Sequence, residues 1–272
     1  MAHPIVTAAP TVELTEERSN KLRNLNLLAA ALHAVSGTLM VVLGATDFEL
    51  SVTFFNLNGP PGTPIDEGTL GEVWGVPLAL GTAGFMWLSA IFHLIVGLLA
   101  RETYDDELRH GRNRFRWTEY ALSSTLMIVL IALVTNVTDI AALIAIAFVN
   151  ASMILFGWLM EMANDSTRPD QVWWTPFWFG CIAGIAPWLA IAASILAGLS
   201  MEGAEGPPGF VWGILVTIFV FFNCFAVNMV LQYKKVGPWR DYLFGEKVYI
   251  ILSLTAKALH AWQVFFPVLG SD

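Results

Sequence analysis

YLFGEKVYIILSLTAKALHAWQVFFP, residues 242–267, is an apolar run interrupted near its middle by Lys257. A helix needs roughly 20 predominantly apolar residues to cross a bilayer, and this run is long enough. Lys247 marks one edge, and Lys257 follows ten residues later. At 1.5 Å per residue that places it about 15 Å deeper, close to the midplane. A cation there costs a few kcal/mol, so it is a functional candidate. The bland alternative is snorkelling, in which the stem reaches back to the interface, but the depth makes that escape difficult.

The rest of the chain fits the same solvent. Of 272 residues, 56% are hydrophobic and 13% charged, about half the charge of an ordinary soluble domain. That balance excludes a disordered chain, a nucleic-acid binder and a soluble enzyme. Cys181 and Cys224 lie in apolar runs and suit neither a disulfide framework nor a zinc site. Seven stretches read as spans: A, Leu22–Thr46; B, Gly75–Ala100; C, Phe115–Asn136; D, Ile140–Met162; E, Thr175–Leu199; F, Gly209–Tyr233; and G, Tyr242–Pro267. They are continuous rather than alternating, which favours helices over barrel strands. The expected fold is an all-α, seven-helix transmembrane bundle spanning 22–267. Residues 1–21 precede it and lack the order of a cleaved signal peptide, so span A is expected to stay. A short tail, 268–272, follows.

Basic residues give the orientation, because they are retained on the cytoplasmic side. Arg18, Lys21 and Arg23 lie at the start of A; Arg101, Arg109, Arg112, Arg114 and Arg116 around the B–C connection; Arg168 between D and E; and Lys234, Lys235, Arg240 and Lys247 around the F–G turn. Of fourteen basic residues, thirteen fall on one side and none on the other, with Lys257 inside. The opposite side has acids such as Asp47, Glu49, Asp66, Glu67, Glu72, Glu202 and Glu205. The expected topology is therefore N-terminus cytoplasmic, C-terminus extracellular. The outer A–B loop, 47–74, holds the β-branched and aromatic Ser51–Leu57 and then Asn58-Gly59-Pro60-Pro61-Gly62, a strong turn signal that predicts a short hairpin.

A buried lysine calls for an acid at similar depth. Glu161 and Glu246 fall at inner span ends and read as interfacial, and Asp139 lies just outside D. Glu119, near the start of C, remains. Helical side chains tilt toward the N-terminus, carrying the Lys257 amine back toward Glu119. The alternative for Glu119 is a surface pair with Arg116, three residues back. His33, His93, Ser89 and Ser253 map to the same inner half and predict a polar pocket able to hold a proton. Beyond Lys257 no span carries a carboxylate, only Asn150 and His260. A desolvated lysine can bind an aldehyde as a Schiff base, and the positive charge then needs a nearby anion. Trp262, Phe177-Trp178-Phe179, Trp188, Phe219, Phe221 and Phe222 are a candidate lining for a conjugated apolar ligand.

At these residues the chain resembles the heliorhodopsins. The matching stretches are FRWTEYALSS (115–124), VNASMILFGW (149–158), PFWFGCIAGI (176–185) and YIILSLTAK (249–257), with LNGPPGT (57–63) in the outer loop. The resemblance implies all-trans retinal on Lys257, Glu119 as counterion and Ser253 beside the Schiff base. It implies that His33, His93, Ser89 and Asn150 form the polar network, with Tyr120, Ser123, Ser124, Met153, Trp178 and Trp262 lining the pocket. It also implies a light-sensitive homodimer in the lipid bilayer that does not pump ions. Ala121 and His260 depart from the family pattern, and His260 puts a strictly inward proton circuit in doubt. The leading expectation is a retinal photoreceptor, not an enzyme, with its signalling partner unidentified. A light-gated channel or transporter is the second reading, and a retinal-free transporter using a Lys257–Glu119 ion pair the third.

Overall fold

A computed structural model describes residues 12–44, 48–164, 172–201 and 206–265. Asp47, Arg168, Glu202, Glu205, the end of span G and the tail 268–272 lie outside these residues. The elements are α1 (Glu16–Leu43), β1 (Glu49–Asn56), β2 (Thr69–Pro77), α2 (Leu78–Leu94), α3 (Arg101–Arg109), α4 (Arg114–Val134), α5 (Ile140–Ala163), α6 (Thr175–Leu199), α7 (Gly209–Tyr233) and α8 (Tyr242–Phe265). Seven of the described helices are long and apolar enough to cross a membrane; α3 is the exception.

Boundaries moved where local chemistry overrides hydropathy. α1 starts at Glu16 rather than Leu22, because Thr15 caps it, accepting from the Arg18 amide at 3.4 Å, and Glu16 and Glu17 suit the positive end of the helix dipole. Span B is divided: Gly75–Pro77 belongs to β2, and the helix begins at Leu78. Its last turn, Ile95–Leu99, is a π turn closed by Ala100 N on Ile95 O at 2.7 Å. Span C stops at Val134, where Asn136 adopts a φ of 66°. Charge counting concealed α3 altogether. It is a short amphipathic helix that buries Tyr104 and Leu108, four residues apart on one face.

Successive spanning helices alternate in direction, so the basic residues gather at one end of the bundle, called here the basic end. The opposite end carries the hairpin. β1 and β2 pair antiparallel from Glu49↔Pro77 to Asn56↔Thr69, with an irregularity between Val52 and Thr53. Their connection uses left-handed residues where the Asn-Gly-Pro-Pro-Gly signal predicted a turn, Asn58 at φ 58° and Gly62 at φ 102°. Asn58 Nδ2 donates to Thr69 Oγ1 at 2.5 Å and ties the turn to β2.

The hairpin docks on the α4–α5 turn. Thr53 N donates to Thr138 O at 2.8 Å, and the two threonine hydroxyls are 2.9 Å apart. Next to this contact, Asp139 caps α5 by accepting from Ala142 N at 2.9 Å. Below the hairpin the core is mainly apolar, with Met40, Val52, Phe85, Met86, Ile128, Ile131 and Phe265 all buried. Replacing Thr138 with Val keeps shape and removes the hydroxyl pair. The expected loss is about 1 kcal/mol, read as a lowered thermal midpoint in detergent with the helical signal unchanged.

Candidate functional site

Lys257 on α8 and Glu119 on α4 are each 4% exposed. Lys257 Nζ donates to Glu119 Oε1, and also to Ser89 Oγ at 2.7 Å. Ser89 closes the triangle, 2.6 Å from the same carboxylate oxygen. α4 and α8 both start at the basic end, and the long lysine stem spans the difference in depth between the two residues. The structure thus brings Lys257, Glu119 and Ser89 together. Arg116 is not the partner of Glu119.

The expected polar pocket divides in two. His33 and His93 stack with ring centroids 5.6 Å apart, and His93 Nδ1 sits 2.7 Å from Asn26 Oδ1. Asn26 was not expected; its signal was its place two turns before His33 on one helix face. Ser253 lies on the Lys257 face of α8, fully buried, and its hydroxyl has no hydrogen-bond partner among the described residues. Asn150 stands apart from the histidines. Its amide donates to Ser124 Oγ and Thr125 Oγ1, both at 3.0 Å, because α5 packs on the face of α4 that carries those hydroxyls.

On the other side of Lys257 a cavity of about 360 Å³ opens among α4, α5, α6, α7 and α8. Lys257 lies on its wall with Tyr120, Ser123, Ser124 and Met153. Trp188 stands edge-on to Phe219 and Phe222, at 5.2 and 5.8 Å, in the same lining. Gly184 keeps α6 close to α5: a Cβ there would strike Met153 Sδ. Four expected lining residues, Trp178, Phe179, Phe221 and Trp262, fall elsewhere. Trp178 is 61% exposed, its position on α6 turning it outward, and its neighbour Phe177 lines the cavity instead. Trp262 packs edge-on against Phe265 at 5.9 Å and joins the apolar core. Phe221 is likewise not in the lining.

The heliorhodopsin family model matches residues 22–269. The chain belongs to the heliorhodopsin family. A solved structure described as "Crystal structure of thermophilic rhodopsin" aligns with a TM-score of 0.56 at 14% identity, over 95% of this chain and 96% of that one. At that identity the likeness concerns the fold alone. No curated protein matches the chain significantly. Membership of the heliorhodopsins implies a retinal chromophore and a light-sensing role. The cavity fits such a group: its volume lies within the roughly 300–1,000 Å³ of small-molecule sites, and its wall is apolar and aromatic. An amine stands at one wall, and the Ser123 hydroxyl is unpartnered there.

The basic end of this heliorhodopsin corrects the reading of Glu161 and Glu246 as interfacial. Both are buried, 6% and 1% exposed. Arg116 binds each of them, Nη2 to Glu161 Oε1 at 2.7 Å and Nη1 to Glu246 Oε1. Its guanidinium carbon lies 4.1 Å from the Tyr249 ring centre and 4.5 Å from that of Trp117. Glu161 also accepts from Trp117 Nε1 at 2.6 Å, Asn113 N at 2.9 Å and Tyr242 Oη at 3.2 Å. A carboxylate at a span end is ordinarily wet, so the sequence carried no signal of this burial. In α3, burial pushes the Tyr104 hydroxyl up to about 12, which keeps it neutral at any physiological pH.

Arg116→Leu would leave two buried carboxylates with no counter-charge. The expected destabilisation is on the order of 3–5 kcal/mol, measured by thermal unfolding. Adding Glu161→Gln and Glu246→Gln to that variant should recover much of the loss.

Proposed function

We propose that the protein is a non-pumping photoreceptor holding all-trans retinal on Lys257, with Glu119 as counterion. The observation that carries this reading is the Lys257–Glu119 pair set in the wall of an apolar cavity of about 360 Å³. Lys257 would hold retinal as a Schiff base at Nζ, and the group would supply visible absorption and a light-driven change of shape. Tyr120, Ser123, Ser124 and Met153 hold the polyene side of the cavity, and Asn150 steadies Ser124. Trp178 and Trp262 contribute packing outside the lining.

Glu119 neutralises the charge at Nζ, and Ser89 fixes which carboxylate oxygen faces it. Ser253, one turn before Lys257, offers an unpartnered hydroxyl at the same level. When light displaces the proton from Nζ, the stacked His33 and His93 on the neighbouring helices receive it into the basic half. Both nitrogens of His33 and Nε2 of His93 are free of protein partners among the described residues, so they can accept. In the retinal-binding domain 22–267 the basic end then faces the cytoplasm, by the charge asymmetry of its loops. Homodimerisation is part of the same reading, as is signalling to a partner the chain does not name.

Support for the absence of pumping comes from the hairpin half. Every buried carboxylate among the described residues, Glu119, Glu161 and Glu246, lies on the basic side of Lys257. His260 is stacked on Phe85 at 5.5 Å, and neither of its nitrogens has a hydrogen-bond partner among the described residues. Among the described residues, therefore, no protein side chain links it by a hydrogen bond toward the hairpin.

Protein reconstituted with all-trans retinal should show a visible absorption band. Lys257→Ala should abolish it, and Glu119→Gln should move it to the red, because the lost anion stabilises the charge at Nζ more before excitation than after. A spectrum indifferent to Lys257→Ala would favour the retinal-free ion-pair transporter. Under voltage clamp, illumination should give no sustained current; a steady current would favour the channel or transporter.

A further inference from the structure

A second, smaller cavity of about 40 Å³ lies on the basic side of Lys257. Its wall includes Glu119 and His93 near the lysine, and Arg116, Tyr249 and Glu246 toward the basic end. That exceeds the roughly 10–15 Å³ that a cavity needs to hold a water. Three buried polar atoms from these wall residues have no protein partner among the described residues: His93 Nε2, Tyr249 Oη and Arg116 Nε. Unpartnered groups of this kind are costly to bury, and water in a polar cavity is their usual partner.

The two carboxylates on Arg116 are not equivalent. Glu161 accepts from Arg116, Trp117, Asn113 N and Tyr242, which occupies both of its oxygens. It lies outside the cavity wall and serves as the anion that balances Arg116. Among the described residues Glu246 accepts only from Arg116 Nη1 and from Asn113 Nδ2, the latter at 2.7 Å. It is the surplus negative charge of the cluster, buried beside another carboxylate, and it faces the cavity. Around it stand Arg116, Asn113 and Glu161, with Tyr249, Tyr104 and His93 across the cavity and Tyr242 and Lys247 nearby in sequence or network.

We propose that Glu246 is the group on which the light-released proton comes to rest, reached from Lys257 past Glu119 and His93 through water in this cavity. The inference rests on the photoreceptor reading and extends it: His93 passes the proton on and does not store it. The step balances as a proton shift, with Nζ losing one proton, the Glu246 carboxylate gaining it and the water chain unchanged. No proton leaves the protein, which accounts for a proton movement without pumping.

Light-minus-dark infrared difference spectroscopy on the retinal-loaded protein tests this. As the visible band gives way to the blue-shifted form with unprotonated Nζ, the carbonyl stretch of a newly protonated carboxylic acid should appear. Glu246→Gln should lose that stretch, and Glu246→Asp should retain it at a shifted frequency. The Gln variant keeps the Arg116–Glu161 charge balance, so folding is expected, and its visible band reports that it has folded. A blue-shifted form without any carbonyl stretch, or with one unchanged in Glu246→Gln, would overturn the inference while leaving the photoreceptor reading intact. Absence of any visible band in the unmodified protein would overturn both.

Discussion

Lys257 and Glu119 are each buried inside the bundle, and neither charge is affordable there alone. That requirement constrains the helices: α8 and α4 must come close enough at mid-depth for Nζ to reach the carboxylate, and α2 must bring Ser89 to the same point. The apolar packing of the hairpin half and the layered polar contacts of the basic half are both organised around this pair. Removing either partner would leave a buried charge, a far larger penalty than the loss of one hydrogen bond.

Polarity is distributed unevenly about the lysine. Toward the hairpin, α1, α2, α4 and α8 meet through methionine, isoleucine and phenylalanine, and His260 lies in this layer stacked on a phenyl ring. Toward the basic end, histidines, a serine triangle and an arginine with two carboxylates follow one another. Ligand space and polar space also occupy different sides of α8. The large cavity opens among α4 to α8, and the small one reaches toward α1, α2 and α3. The Lys257–Glu119 pair therefore stands between an apolar cavity on one side and a smaller polar one on the other.

The spans, their alternating direction and the hairpin were legible because hydropathy and turn chemistry act locally. Thr175–Leu199 and Gly209–Tyr233 have the expected limits, whereas α1 was misjudged because its start is set by the Thr15 cap rather than by apolarity. α3 was hidden for the converse reason: it is mostly charged, and only Tyr104 and Leu108 disclose its buried face. The Lys257–Glu119 pairing could be read from depth and side-chain direction. Burial of Glu161 and Glu246 could not, because a carboxylate at a span end is ordinarily wet. It becomes dry here only because Asn113, Arg116 and Trp117 at the start of α4 and Tyr242 at the start of α8 converge on the two carboxylates. Rotation about a helix axis was the other blind spot. Trp178 and Phe177 are adjacent in sequence, yet only Phe177 faces the cavity.

The central claim is that Lys257 is the attachment point for the chromophore. Borohydride reduction of the retinal-loaded protein in the light, followed by peptide mass mapping, would fix the aldehyde to whichever amine holds it. The account predicts a single retinyl adduct on the peptide containing Lys257. An adduct on Lys234, Lys235 or Lys247 instead, or none on a protein that still absorbs visible light, would contradict it.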